Sequence, residues 1–311
     1  MLPTLSFHHL HLNSVDPDAA IGFYTGQFAS TSRTTWNGQP ALDCGDGVLV
    51  LFERVDRPPP TDPQRTAIWH FGWHVPDSRA SLERYRRRPH VKVLPLYTSD
   101  EGGHVQISSD TWPGKEGVLG LTREQIREAR AADAQPTRKG GFSYIEGPDN
   151  ALFEYSGNHP KERFNHVHMW QDDPFCALLW YQRHLNAPVM PGRESATPLT
   201  EANCKVPRGA DRTWPSLTRE GMYRSPRAAV TFSDVALMWY PKQDERVLES
   251  SRGNIVDHIG LGVSDLDAWI AKLTGEGIEI LEGPYALGDP RALMIEGPSR
   301  EALELVEVRR A

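Results

Sequence analysis

Cysteine is scarce in this 311-residue chain, and long apolar runs are lacking. The three cysteines, Cys44, Cys176 and Cys204, lie far apart and are odd in number, so we expect no disulfide framework and a reduced, cytoplasmic setting. No stretch has the length of a membrane span, and the first residues show no export signal. Hydrophobic residues make up 39% and charged residues 24%, as is typical of a soluble globular protein.

An excess of positive charge is also lacking. The formal net charge of -7 argues against a nucleic-acid partner, which normally meets a basic face. We interpret the basic run of Arg84, Arg86, Arg87 and Arg88 as a solvated helix end. We therefore expect no nucleic-acid partner, and no membrane partner because no stretch has the length of a span; self-association into a homo-oligomer is left open.

Histidine recurs in a fixed local pattern. Four times a histidine stands seven residues before an aspartate, and in the first three cases a tyrosine follows eight residues later. Four copies of one local frame indicate an internal repeat. A histidine on the first strand of each repeat suggests a metal site where repeats meet. The pairs are His9/Asp16, His70/Asp77, His166/Asp173 and His258/Asp265.

Each repeat has the pattern of a βαβββ unit. A short alternating strand begins near the histidine, and Asp-Pro at residues 16–17 and 173–174 resembles a helix N-cap followed by proline at the first helical position. Strand-like runs with glycine-rich turns close each unit. The predicted fold class is therefore α+β, with four βαβββ units that begin near residues 6, 68, 164 and 255.

Linker lengths suggest how the units pair. The gaps from Glu53 to His70 and from Tyr240 to His258 are 17 and 18 residues, whereas Glu154 to His166 is only 12. We predict an N-terminal module over 1–159 and a C-terminal module over 160–311; pairing of unit one with four and of two with three stays open. Stretches 98–141 and 190–227 do not repeat and are interpreted as insertions, the first with a short helix over 122–132.

The repeat resembles a known superfamily. The βαβββ unit, the histidine on its opening strand and the closing Gly147-Pro-Asp-Asn-x-x-x-Glu154 are similar to the vicinal oxygen chelate superfamily. That group includes glyoxalase I, bleomycin resistance proteins and type I extradiol dioxygenases. The resemblance covers nearly the whole chain except the insertions. It implies that two units form a cupped sheet around a divalent metal, whose ligands come from the opening strands and from the closing strand of the second unit.

The resemblance implies two candidate ligand sets. The N-terminal module offers His9, His70 and Glu154. A second candidate site offers His166, His258 and Glu304 from the C-terminal module. Two histidines and one carboxylate favour Fe(II), because open positions remain for substrate and dioxygen, although Mn(II), Zn(II) or Ni(II) fits the same ligand types.

Glu53 and Tyr144 separate two reactions. Glyoxalase I has a fourth ligand on the closing strand of the first unit; Glu53 takes that place when counted back from His70, but Leu51 takes it when counted forward from the preceding turn. Tyr144 stands ten residues before Glu154, as in the extradiol dioxygenase signature, where such a tyrosine can hydrogen-bond a substrate oxygen.

Further histidines offer acid–base chemistry. His11 lies two residues after His9, and His168 two residues after His166, on the same sheet face. His104, in the first insertion, is a candidate for folding over the site.

The resemblance implies an enzyme, and we predict an extradiol-type dioxygenase that cleaves a vicinal aromatic diol. Its partner is then a small molecule, an aromatic or oxygen-chelating substrate. A glyoxalase-like isomerase or lyase that acts through an enediolate, and a metal-free binding protein, are the alternatives.

Overall fold

A computed structural model of the chain describes residues 2–59, 65–93, 131–132, 142–195, 197–205, 227–242 and 247–308. His104 and most of the helix predicted over 122–132 lie outside these residues. The elements follow the predicted repeat. Units one and two contain β1 (Ser6–Ser14), α1 (Pro17–Gln27), β2 (Ser32–Trp36), β3 (Gln39–Asp43), β4 (Leu49–Arg54), β5 (Ile68–His74), α2 (Ser78–Arg86), β6 (Lys92–Val93), β7 (Phe142–Glu146), a 3₁₀ turn (Pro148–Asn150) and β8 (Leu152–Ser156).

Units three and four complete the chain. In unit three, two strands follow the helix within the described residues, and an isolated bridge joins Val189 to Val230. The elements are β9 (Arg163–Gln171), α3 (Pro174–Leu185), β10 (Ala228–Phe232), β11 (Val235–Pro241), β12 (Val256–Val263), α4 (Leu266–Gly275), β13 (Ile280–Ala286), β14 (Arg291–Glu296) and β15 (Ala302–Glu307).

Each helix begins directly after the aspartate of the repeat. The carboxylates of Asp16, Asp77 and Asp265 accept hydrogen bonds from the backbone N–H three residues on, at 3.1, 3.0 and 2.9 Å. These bonds satisfy donors that the first helical turn leaves without a partner. The predicted helix starts are therefore confirmed.

The sheets pair the units in a nested order. One sheet has the strand order β13-β14-β15-β12-β1-β4-β3-β2, and the other has the order β10-β11-β9-β5-β8-β7-β6. Unit one thus shares a sheet with unit four, which we call the outer module, and unit two with unit three, the inner module. The pairing of consecutive units within 1–159 and within 160–311 was wrong. Linker length limits the reach of a chain but does not select the strand edge that a unit joins.

The two modules share one hydrophobic core. Helix α1 of the outer module packs on the inner sheet, where Phe28 stacks on Trp73 with ring centroids 4.1 Å apart. In the opposite direction, the Tyr181 hydroxyl on α3 donates a hydrogen bond of 2.7 Å to the buried Glu301 of the outer module. These contacts hold the modules together.

Two cysteines form a disulfide, which corrects the expectation of none. Cys176 on α3 is bonded to Cys204, with Cα atoms 4.8 Å apart. The segment after the helix folds back onto it, and distance in sequence did not reveal that approach. Cys44 remains a buried free thiol. The described part of the chain contains no helix that is long and apolar enough to cross a membrane.

Candidate metal centres

The outer module gathers three histidines and a glutamate at its central strands. His9 Nε2 lies 3.2 Å from His258 Nε2 and 3.4 Å from the Glu304 carboxylate. His258 Nε2 lies 3.7 Å from the same carboxylate. His11 pairs with His258 across the strands, and their rings are 4.3 Å apart. We call His9, His11, His258 and Glu304 the outer centre.

The inner module repeats this arrangement. Glu154 lies 3.1 Å from His70 Nε2 and 3.7 Å from His166 Nε2. His168 pairs with His70 across the strands, with ring centroids 4.6 Å apart. Each of the four side chains of this inner centre has a donor atom within 4.8 Å of the others, and all four residues are buried. A buried carboxylate surrounded by imidazoles is a candidate functional site, because buried and closely spaced titratable groups concentrate at such sites.

A glycine makes room for one histidine in each centre. Gly260 stands opposite His9 in the antiparallel pair of β1 and β12, and Gly72 stands opposite His166 in that of β5 and β9. A β-carbon at residue 260 would lie 2.1 Å from the His9 ring, and one at residue 72 would lie 2.5 Å from His166 Nε2. No side chain fits at such distances. The sequence carries this signal as His-x-Gly in units two and four.

A β-bulge directly precedes each of the four histidines of the repeat. The register shifts in the two central strand pairs leave one extra residue each time, directly before the histidine of the repeat. A bulge bends the strand and re-aims side chains, and bulges are frequent beside active sites. The four bulged residues are His8, Trp69, Asn165 and Asp257.

The bulge at Asp257 orients a candidate ligand. The Asp257 carboxylate accepts a hydrogen bond from His258 Nδ1–H at 2.6 Å and another from Gly253 N–H at 2.6 Å. Nδ1 is thereby occupied, and Nε2 is left to face His9 and Glu304. Carboxylates commonly fix metal-binding histidines in this way. Sequence reasoning did not consider Asp257, although the Asp-His pair was visible.

Burial and charge favour the metal-binding forms of His9, His11 and Glu304, whereas for His258 the hydrogen bonds with Asp257 and Glu304 outweigh burial and raise the pKa. Burial, with the neighbouring imidazoles, holds the pKa of His9 well below its usual range and lowers that of His11 to about 3. Burial opposes ionisation of Glu304, but hydrogen bonds with His258 and Tyr285 still lower its pKa. Neutral imidazoles and an ionised carboxylate are the forms that bind a metal.

Each centre has a tyrosine beside its glutamate. Tyr144 pairs with Glu154 across β7 and β8, and its buried ring lies 4.9 Å from that of His70. In the outer centre Met294 takes the same register position, and Tyr285 from β13 instead donates a hydrogen bond of 2.5 Å to Glu304. Tyr144 was predicted; Tyr285 was missed because it lies on a different strand.

Aromatic side chains form a wall next to the inner centre. Trp69 and Trp170 stack with centroids 4.2 Å apart, and Trp69 lies 4.3 Å from His70. Tyr240 contacts His168 at 5.1 Å. With Tyr144, Ala229 and Met238 these residues form an apolar cluster separate from the main core. All six side chains of this cluster are buried, and aromatic rings favour stacked or edge-on contacts with other rings.

The structure regroups the predicted ligands. His9 was predicted to lie with His70 and Glu154, but it lies with His258 and Glu304. His166 was predicted to lie with His258 and Glu304, but it lies with His70 and Glu154. The cause is the nested pairing of the units. The six predicted ligands are therefore all found in the two centres, but His9 and His166 have changed places between the two sets.

Glu53 lies outside both centres. Its side chain is exposed and accepts a hydrogen bond from Gln39 at 3.3 Å. Leu51 stands opposite His11 in the strand register, which is the position that Glu304 takes opposite Gly260 in unit four. Leu51 therefore occupies the fourth-ligand position, and the prediction of Glu53 as a fourth ligand was wrong.

Both donor sets fit a divalent cation. Donors about 2.1 Å from one ion lie about 3.0 Å apart at right angles and about 3.4 Å apart in a tetrahedral site. The distances between nitrogens and carboxylate oxygens in the two centres, 3.1 to 3.7 Å, are near these values. Imidazole with carboxylate suits iron, manganese, zinc or nickel.

Comparison with known proteins supports the fold. No family model and no curated protein matches the sequence. Glyoxalase I from Zea mays superimposes with a TM-score of 0.59 at 14% identity, over 98% of this chain and 92% of that one. A putative dioxygenase from Bacillus subtilis subsp. subtilis str. 168 gives a TM-score of 0.52 at 9% identity, over 99% and 86%.

At such identities these likenesses show the fold alone. The sheets and βαβββ units are those of the vicinal oxygen chelate fold. The resemblance inferred from the histidines, turns and glutamates is thereby confirmed for the fold.

Proposed function

We propose that this protein is a metal-dependent dioxygenase that cleaves a vicinal aromatic diol, and that the inner centre carries the reaction. The observation that supports the inner centre is the aromatic wall directly beside His70, together with Tyr144. The outer centre has Trp36 at 6.0 Å from His9 and Tyr285 on Glu304, but no stacked tryptophan pair among the described residues. Glu154, His70 and His166 would hold the metal.

A bound iron(II) ion would supply open positions for substrate oxygens and a redox partner for dioxygen. The chain's own groups do the rest. The stacked Trp69 and Trp170 would hold the ring flat, and the Tyr144 hydroxyl would hydrogen-bond one diol oxygen and take part in moving its proton. In the overall reaction a ring bond beside one hydroxylated carbon breaks, and both atoms of one dioxygen enter the product.

The isomerase alternative loses support from the position of Glu53. A glyoxalase-like reaction needs a base, and the carboxylate expected on the closing strand of the odd-numbered units is replaced by Leu51 and Met238. A diol that binds through two oxygens does not need that carboxylate. The metal-free alternative is opposed by two buried histidine–glutamate clusters, which are costly to maintain without a ligand.

The decisive experiment is oxygen uptake with iron(II)-loaded protein and a panel of catechols. We expect uptake in equal proportion to diol, lost in Glu154→Gln and retained in Glu304→Gln. Conversion of an α-ketoaldehyde adduct without dioxygen, restored by zinc or nickel, would replace the proposal by an isomerase. Failure to bind any metal would leave a binding protein.

The cytoplasmic location remains a prediction, and the Cys176–Cys204 bond weighs against it because disulfides are rare in that compartment. Self-association into a homo-oligomer stays a hypothesis.

A further inference from the structure

The four units are of two kinds, which differ in whether the closing strand carries a glutamate and whether the opening strand carries a second histidine. Units two and four close with a glutamate, Glu154 and Glu304, whereas the same register positions in units one and three hold Leu51 and Met238. Units one and three instead carry a second histidine two residues after the first. Each module combines one unit of each kind, with His9-x-His11 or His166-x-His168 facing His258-x-Gly260 or His70-x-Gly72.

We infer that His11 and His168 are metal ligands that replace the carboxylate missing from units one and three. The inner centre is then a site of three histidines and one glutamate, and the outer centre is a site of three histidines with Glu304 beside two of them, His9 and His258. The inference rests on the metal dependence of the proposed function, and it assigns this chain a coordination that differs from a two-histidine, one-carboxylate face.

The outer centre places His11 within coordinating reach. His11 stands directly opposite His258 in the strand register, and their rings are 4.3 Å apart and inclined by 30°. One nitrogen from each of His9, His11 and His258 lies within 4.8 Å of the others. Leu51, beside His11 on β4, offers no ligand atom, so the imidazole is the donor available on that side.

The inner centre shows the same relationship independently. His168 stands opposite His70 in the strand register. One ligand atom from each of His70, His166, His168 and Glu154 lies within 4.8 Å of the other three. Met238, beside His168 on β11, offers only a weakly coordinating thioether. The repetition in two modules of different sequence argues against chance placement of a packed histidine.

The test compares wild-type protein with His11→Gln, His168→Gln and the double variant. Glutamine keeps much of the side-chain volume and polarity but removes the imidazole nitrogens. Cobalt(II) affinity is measured by competition with a chelator, and pulsed electron paramagnetic resonance of copper(II)-loaded protein counts the imidazoles on each ion. His90→Gln, at an exposed position away from both centres, is the matched control.

We expect three imidazoles per ion in the wild type and two in the double variant, with metal affinity reduced about tenfold or more at the altered centre. The control should match the wild type. Thermal unfolding of each apoprotein verifies that the variants are folded, and the wild-type count decides the question if one is not.

Two negative outcomes are distinguishable. Wild-type protein that binds metal with two imidazoles per ion, and variants with unchanged affinity, would overturn this inference and leave the proposed function in place. Wild-type protein that binds no metal would overturn both.

Discussion

The imidazole of His9 lies over the backbone of Gly260, so closely that a β-carbon at residue 260 would lie 2.1 Å from the ring. His166 lies over Gly72 in the same way, at 2.5 Å. Strand β12 thus has two roles in the outer centre. It carries His258, the partner of His9, and its Gly260 leaves the space that the His9 ring occupies.

Gly260→Ala tests this relationship. The added methyl group must displace the His9 ring, so we expect metal affinity at the outer centre to fall by about 10- to 100-fold, with a loss of stability of roughly 1–3 kcal/mol from overpacking. Titration with a chelator should then release metal in two separate phases. Gly72→Ala should give the complementary result at the inner centre.

Gly22→Ala is the control for that substitution. Gly22 lies within α1, and a β-carbon there meets nothing within 4 Å. Metal affinity should be unchanged, and the helix should gain about 0.5–1 kcal/mol. Equal metal binding in Gly260→Ala and Gly22→Ala would show that the His9 ring can move without cost to the site.

Asp257→Asn should weaken the outer centre without removing a ligand. An asparagine cannot supply the negative charge that fixes the proton on His258 Nδ1, at 2.6 Å in the structure. We expect about 10- to 100-fold weaker metal binding there and none of this effect at the inner centre. Metal content after dialysis against a graded series of chelator concentrations measures it, with Asp234→Asn, an exposed aspartate, as the reference.

Glu301 should make stability depend on pH. Burial raises its pKa from 4.5 to about 7, against the hydrogen bonds from Tyr181 and Ser299. The folded state therefore holds the proton more tightly than the unfolded state, and the contribution to stability, present below pH 4.5, is lost as the pH rises through 7. The loss is on the order of 3 kcal/mol.

The measurement is the difference in unfolding free energy between wild type and Glu301→Gln, taken from pH 5 to pH 8.5. Titration of the buried histidines is common to both proteins and cancels in the difference. Glutamine does not ionise, so we expect the variant to gain relative to the wild type as the pH rises. A difference that stays constant would mean that Glu301 keeps the same protonation state in both forms of the chain.

Reduction of the Cys176–Cys204 bond should destabilise the protein. The bond joins residues 28 apart, and closing such a loop is worth roughly 3–4 kcal/mol in the chain-entropy model. Thiol titration of unfolded protein should find one reactive cysteine, Cys44, before reduction and three after it. Cys204→Ser should reproduce the reduced protein, and three thiols before reduction would contradict the structure.

The repeat and its helix starts could be predicted because their signals are local. An aspartate directly before a helix can cap it through a hydrogen bond three residues along the chain, as Asp16 and Asp265 show. The strand histidines and closing glutamates were visible for the same reason. Which histidine meets which glutamate could not be predicted, since it depends on the pairing of strand edges far apart in sequence.

Other features depend on register. Asp257 reaches His258 only because a bulge places adjacent residues on one face, and plain alternation predicts opposite faces. Tyr285 reaches Glu304 from a strand two places away in the sheet. The disulfide likewise depends on the path of an irregular segment.

The nested pairing has a consequence for the order of assembly. His9 and His258, which meet in the outer module, are 249 residues apart in the chain, whereas the inner module is built from consecutive units. During synthesis the ribosome must deliver nearly the entire chain before β1 can find β12, while the inner module can already close. The first unit made is thus among the last to find its partner, and the outer centre is completed after the inner one.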